Sequence, residues 1–247
     1  MRENFMSNTS CFGQMMTRLG ILIAANLLFL ITCMPVVTTG AGLAALHHTM
    51  LRTLRSDGEI NPFREFFKGF RGNFKQATAA FVILVLLIAF LLLEIFWCMQ
   101  FTGFVAYFRY GLIALVMMIL ALALYLFPTM AAFDAPFGKL IAHSFYFLMK
   151  NPLMALLIIF VYVMSVLLTI VHLRFRPLYA FLWCVIGASA LVMLQDSMLL
   201  KLFVPYLPGV DASGEMIPEG MEADFMDKAE SQKDSNKTLD DMMKLGM

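Results

Sequence analysis

The chain has 247 residues, of which 61% are hydrophobic and 14% charged, and its formal net charge is +1. A soluble domain carries about 25% charged and about 45–50% apolar residues, so this composition excludes one enlarged soluble core and points to a protein that crosses a membrane several times. The near-neutral total hides an asymmetry: residues 1–206 hold 14 basic and 7 acidic side chains, whereas residues 207–247 hold 4 and 10.

A helix needs roughly 20 mostly apolar residues to cross the hydrocarbon. Residues 19–34 form the first and shortest such run. It holds Asn26, follows Arg18, and lacks a convincing cleavage site, so it reads as a retained helix rather than a signal peptide. It ends at "CMPVVTTGAG", where Pro35 and Gly40 break the helix and Thr38 and Thr39 can satisfy the freed backbone groups. Residues 40–55 then predict a helix of about 24 Å, from a rise of ~1.5 Å per residue. Ala41, Ala44 and Ala45 on it allow close packing. Two placements stand open for this helix: a tilted crossing, or a position at the membrane surface. A crossing divides the Lys and Arg residues 15 to 3 between the two sides, and a surface position divides them 13 to 5. The positive-inside rule favours the crossing, with six helices and both termini in the cytoplasm.

Next comes "NPFREFFKGFRGNFKQA". Phe63, Phe66, Phe67, Phe70 and Phe74 recur at the spacing of one helical stripe, with Arg64, Lys68, Arg71 and Lys75 largely on the other side. Asn61 is a suitable N-cap and Pro62 suits the first helical position. A basic amphipathic helix leading into a span is expected to lie in the membrane interface and face anionic headgroups. Its aromatics form an apolar face rather than a base-stacking platform, so nucleic acid is not the expected partner.

Residues 77–99, 110–127, 153–171 and 178–194 are the remaining spans. Glu94 lies in the outer part of its span, and Arg109 opens the next helix after a short loop, so the two are expected to pair. Pro128 is expected to end the third apolar helix. A second amphipathic helix follows, with Phe137, Leu140, Ile141, Ser144, Phe145 and Leu148 on one face. Membrane grammar accounts for this second "PF, amphipathic helix, span" pattern better than an internal repeat does. Asp196 follows Gln195 near the inner end of the last span. The tail, residues 207–247, is polar, acidic and broken by Gly and Pro, and reads as a disordered cytoplasmic segment. The expected fold is therefore an all-α polytopic bundle of five to six helices (residues 1–206) with one or two interfacial amphipathic helices.

Chemistry is sparse. The four cysteines are scattered and read as small hydrophobes. His47 and His48 are adjacent, point about 100° apart on a helix, and make no natural chelate. Asp134, between two prolines, reads as a helix cap. No GxSxG, HExxH or P-loop occurs, and neither a cofactor, a metal nor an enzymatic activity is expected. Ionisable and polar groups inside spans are often functional. A small transporter or channel with a polar path near Asn26 and Glu94 is therefore the alternative reading, with Arg109 and Asp196 as further candidates.

The block from "NLLFLITCMPVVTTGAGLAALHHTMLRTLR" through "FREFFKGFRGNFKQAT" resembles the YesL family of bacterial integral membrane proteins. The matching features are Asn26, the turn from Pro35 through Thr38 and Thr39 to Gly40, the Ala44-Ala45-Leu46 run, and Phe66, Phe70, Asn73, Phe74 and Gln76. The later "LFPTMAAFD" is similar to the family's proline-containing end of the third span, and the likeness covers roughly residues 15–200. The resemblance implies a multi-pass protein of the Gram-positive plasma membrane with no assigned activity and no catalytic residues to carry over. It also implies an accessory or regulatory role in carbohydrate uptake, with importer subunits as partners. The oligomeric state is not implied.

Overall fold

The computed structural model describes residues 11–56, 60–101, 107–133, 135–171 and 176–203, and these are helical with no strand among them. The chain divides into two compact units, Met1–Leu200 and Lys201–Met247. Of the second, residues 201–203 are described and belong to the end of the last helix; the acidic tail lies outside the described residues, as do Asp134 and His172. The helices are α1 (Cys11–Cys33), α2 (Thr39–Arg55), α3 (Pro62–Cys98), α4 (Phe108–Ala132), α5 (Phe137–Lys150), α6 (Pro152–Val171), α7 (Arg176–Leu182) and α8 (Ala188–Phe203). A short 3₁₀ turn, Val36–Thr38, joins α1 to α2, and a π-helical turn, Trp183–Gly187, joins α7 to α8.

Five segments are long and apolar enough to cross a membrane: Met15–Cys33, Pro62–Cys98, Phe108–Ala132, Pro152–Val171 and Pro177–Phe203. The protein is thus a polytopic helical membrane protein. Many large apolar side chains on these spans point outward, among them Leu86, Phe90, Phe160 and Leu167. That is how a bundle meets lipid, where outward apolar groups carry no penalty.

Helix α2 is the centre of the bundle. Eleven of its 17 residues are buried, so it is a core element of the bundle. One side packs Ala45, Leu46 and Met50 against Ile21, Ala25 and Leu28 of α1 and Phe66 of α3. The other packs Ala44 against Ala77 and Ala80 of α3 and Leu126 and Met130 of α4. The small residues let the backbones approach closely, which is how helices associate without a hydrophobic driving force between them. Gly40 shows how close: a Cβ there would lie 2.4 Å from the Ala77 carbonyl oxygen and from Phe81 Cβ. Farther along, the His48 ring fills the space over Gly69, and Arg52 Nε lies 3.6 Å from Glu65 Oε2. These three contacts run in opposite order along the two chains, so α2 and α3 are antiparallel.

The amphipathic stretch is not a separate helix. It is the first half of α3, a continuous rod of 37 residues capped by Asn61, whose Oδ1 accepts from the Phe63 and Arg64 amides. The phenylalanine stripe divides. Phe66 is fully buried against α1 and α2, with Phe70 packed beside it, whereas Phe63, Phe67 and Phe74 face outward. Arg64, Lys68, Arg71 and Lys75 are exposed one residue further round the helix, so the outer surface carries an aromatic stripe edged by cations. The second amphipathic stretch behaves differently. Asn151 and Pro152 separate α5 from α6, and α5 buries Leu140, Ser144, Phe147 and Leu148. Phe147 takes the inward place expected for Phe145, which is exposed.

Helix α4 also departs from expectation. It runs through Pro128 to Ala132 rather than ending there. The last span, expected over residues 178–194, extends to Phe203 with a π turn inside it.

Candidate functional site

Each break in a spanning helix frees backbone groups, and in hydrocarbon those groups need partners. At the first break, Pro35 ends α1 and the Thr38 hydroxyl lies 2.5 Å from the Thr32 carbonyl and 2.8 Å from the Pro35 carbonyl. At the second, Pro128 has no N–H, so the Leu124 carbonyl four residues earlier loses its helical donor. Gln195 of α8 donates to that oxygen across 2.6 Å. At the third, the π turn, the Asn26 side chain enters the ladder. Its Nδ2 donates to the Trp183 and Cys184 carbonyls at 3.1 and 2.7 Å, and its Oδ1 accepts from the Ser189 amide at 3.0 Å. The amide of Asn26 acts as an extra peptide group between Cys184 and Ser189, which is one of the recognised causes of a helix irregularity.

The Gln195–Asp196 pair ties α8 to three other helices. The Tyr162 hydroxyl of α6 donates to Gln195 Oε1 at 2.7 Å, and Gln195 reaches α4 as described. Asp196 is fully buried, and its Oδ1 lies 2.7 Å from His47 Nδ1 of α2. With Asp196 as a carboxylate, which only accepts, His47 carries a proton on Nδ1 in this contact. Asp196 Oδ2 has no hydrogen-bond partner.

Beside this network lies a cavity of about 360 Å³ between α2, α4, α6 and α8. His47, Tyr162 and Gln195 are its polar lining; Leu43, Phe127 and Ile159 are among its apolar walls. Its size sits at the lower end of the range for small-molecule pockets, about 300–1,000 Å³.

The remaining polar groups sit elsewhere. His48 takes a different set of partners from its neighbour: Nε2 lies 3.4 Å from Glu65 Oε2 and Nδ1 3.3 Å from the Ala131 carbonyl oxygen. The Glu94–Arg109 ion pair expected from the short loop is not formed. Arg109 turns instead to Tyr110, with its guanidinium carbon 5.0 Å from the ring centroid and Nη2 donating to the hydroxyl at 3.2 Å. Trp97, Tyr107 and Tyr110 are exposed at this end of α3 and α4, the pattern of an aromatic belt. Glu94 is half-buried and, like Asn26, does not line the cavity. The cavity's polar end is therefore distinct from the polar path anticipated near those two residues. Among the described residues no group of three or more His, Cys, Asp or Glu side chains is placed to hold a metal ion.

Residues 22–95 match the family model described as "Protein of unknown function, DUF624". The DUF624 match runs from Leu22 in α1 through α2 to Ile95 in α3. It contains Thr38 and Asn26, which serve the first and third breaks, and it contains His47. The partners of Asn26 and His47, namely Cys184, Ser189 and Asp196, lie beyond it. No curated protein and no solved structure matches the chain.

Sequence reasoning considered His47 as a chelating ligand and passed over it as a partner for Asp196. The available signal was a histidine in the small-residue half of α2 and the sole acidic residue of α8, both within membrane-embedded helices. Two isolated ionisable groups in membrane-embedded helices tend to pair.

Proposed function

We propose that the protein is a non-enzymatic accessory or regulatory component of the plasma membrane in a Gram-positive bacterium, supporting carbohydrate uptake through contact with importer subunits. The observation that carries the non-transporting part is the use of Asn26 and Gln195. Asn26 spends both its amide nitrogen and its oxygen on broken backbone, and Gln195 engages its oxygen and one N–H with Tyr162 and Leu124, so the polar groups inside the spans serve the bundle rather than a polar path. The link to carbohydrate uptake rests on the likeness of residues 15–200 to the YesL family. With α2 crossing as a sixth helix, both termini and residues 52–76 lie in the cytoplasm, a placement supported by the 15-to-3 division of Lys and Arg. The exposed aromatic and basic surface of α3 then meets anionic headgroups on that side.

Crosslinking in native membranes followed by affinity purification of the full chain tests the partner. Importer subunits should be enriched over an unrelated membrane protein of similar abundance; their absence from repeated captures would remove the carbohydrate link. Orientation is tested with single cysteines in a Cys-free background and an impermeant maleimide on intact cells. Residues 5 and 57 should both be protected, and labelling of residue 57 would overturn the orientation.

A further inference from the structure

The cavity between α2, α4, α6 and α8 has a polar end whose hydrogen-bonding state is set by its surroundings. With Asp196 accepting from the His47 Nδ1–H, the neutral imidazole offers Nε2 as an acceptor. Tyr162 gives its proton to Gln195 Oε1, so its oxygen retains lone pairs. Gln195 uses one N–H on Leu124. His47 and Tyr162 therefore offer acceptors and Gln195 keeps one unused N–H, a set that suits a hydroxyl, which both donates and accepts.

The rest of the site is apolar. Leu43, Phe127 and Ile159 form walls, and Met117, Leu120 and Val163 are lining residues that also lie largely exposed on the outer surfaces of α4 and α6. Those surfaces belong to membrane-spanning helices, so the site opens sideways toward acyl chains rather than toward water. A charged head is disfavoured in such walls, because burying an ion without a counter-charge is costly and no Asp, Glu, Lys or Arg is among the described residues that line the cavity. A carboxylate head would bring acceptors to acceptors.

The geometry points to a binding site for a neutral lipid-like alcohol, an aliphatic chain ending in a hydroxyl, which enters between α4 and α6 and donates its hydroxyl to His47 Nε2 or the Tyr162 oxygen. The inference goes beyond the accessory role and does not depend on the carbohydrate link.

The test uses the purified full chain in nanodiscs and a hexadecanol carrying a photoreactive diazirine in its chain. After irradiation, peptide mass spectrometry should find the label concentrated on residues 117–127 of α4 and 159–163 of α6. Excess hexadecanol should displace it, while hexadecane, palmitate and hexadecyltrimethylammonium should not. Tyr162→Phe should weaken displacement by about five- to tenfold, the contribution of roughly one hydrogen bond. Ala123 also lines the cavity, and Ala123→Phe should fill it and disperse the label while the protein stays monodisperse; Met117→Trp serves the same purpose if Ala123→Phe does not fold. Even labelling along all outward helix faces, unchanged by a cavity-filling variant, overturns the site. Equal displacement by hexadecane, palmitate or the ammonium overturns the hydroxyl specificity.

Discussion

Gln195 supplies Leu124 with the hydrogen that Pro128 cannot: its Nε2 lies 2.6 Å from the Leu124 carbonyl oxygen, the acceptor a residue at position 128 would ordinarily use. Two helices are thereby joined by the repair of a defect in one of them. The same logic recurs at Asn26, which completes the π turn of the last span from α1. Polar residues in these spans act on backbone that the helix itself leaves unpaired.

This relationship predicts a coupling. Gln195→Leu should destabilise the protein by about 1–3 kcal/mol, because a buried carbonyl loses its donor. Pro128→Ala restores an N–H to the Leu124 carbonyl. In the Pro128→Ala background Gln195→Leu should therefore cost less than in the wild type, although the Tyr162 hydroxyl loses its acceptor in both. Unfolding in mixed micelles across the four proteins measures the difference. Strict additivity would show that Gln195 does not compensate for Pro128.

Asn26 allows a sharper comparison. Asn26→Ala leaves two carbonyls and one amide to find other partners, at about 1–3 kcal/mol. Asn26→Asp keeps an acceptor for Ser189 but sets an oxygen against the Trp183 and Cys184 carbonyls. It should be the more damaging of the two, with the loss read as a lower midpoint of thermal unfolding in detergent. Equal midpoints would argue against the donor role of Nδ2.

The His47–Asp196 contact should behave as a buried pair. Removing one partner, as in His47→Leu, leaves a fully buried carboxyl without its hydrogen-bond donor and should cost about 1–3 kcal/mol. The double change His47→Leu with Asp196→Leu removes both groups and should recover much of that loss. The yield of monodisperse protein and its unfolding midpoint report the ranking.

The phenylalanines of α3 should separate into two classes. Phe66→Ala opens the core between α1, α2 and α3 and should cost about 3–5 kcal/mol. Phe63→Ala and Phe67→Ala remove outward rings and should change stability in detergent by less than about 1 kcal/mol. Their effect should appear instead in the association of α3 with anionic bilayers, together with Lys68→Glu and Arg71→Glu, read as accessibility of a nearby cysteine to an impermeant reagent.

Glycines in α2 and α3 provide a test of close packing. Gly40→Ala places a methyl group against Ala77 and Phe81 and should force the helices apart. Gly72→Ala meets open space and should be neutral or stabilising by up to about 1 kcal/mol, the helix-propensity gain. Comparison of the two unfolding midpoints separates packing from propensity.

The sequence by itself determined that this is a helical membrane protein, because runs of apolar residues long enough to cross a bilayer need no tertiary partner to be recognised. It also determined the Asn61 cap and the Pro35 break, since both depend on residues within a few positions of each other. The depth at which α2 is buried was decided only in the tertiary structure. In a membrane the core-facing and lipid-facing positions are both apolar, so hydropathy cannot tell Phe66 from Phe67, or a central helix of small residues from a peripheral one. The partners of the polar residues were hidden for a related reason. Glu94 and Arg109 are close in sequence yet unpaired, while His47 and Asp196, 149 positions apart, meet at 2.7 Å. Hydrocarbon penalises an unpaired polar group wherever it stands, but which partner it finds depends on how the helices pack around it.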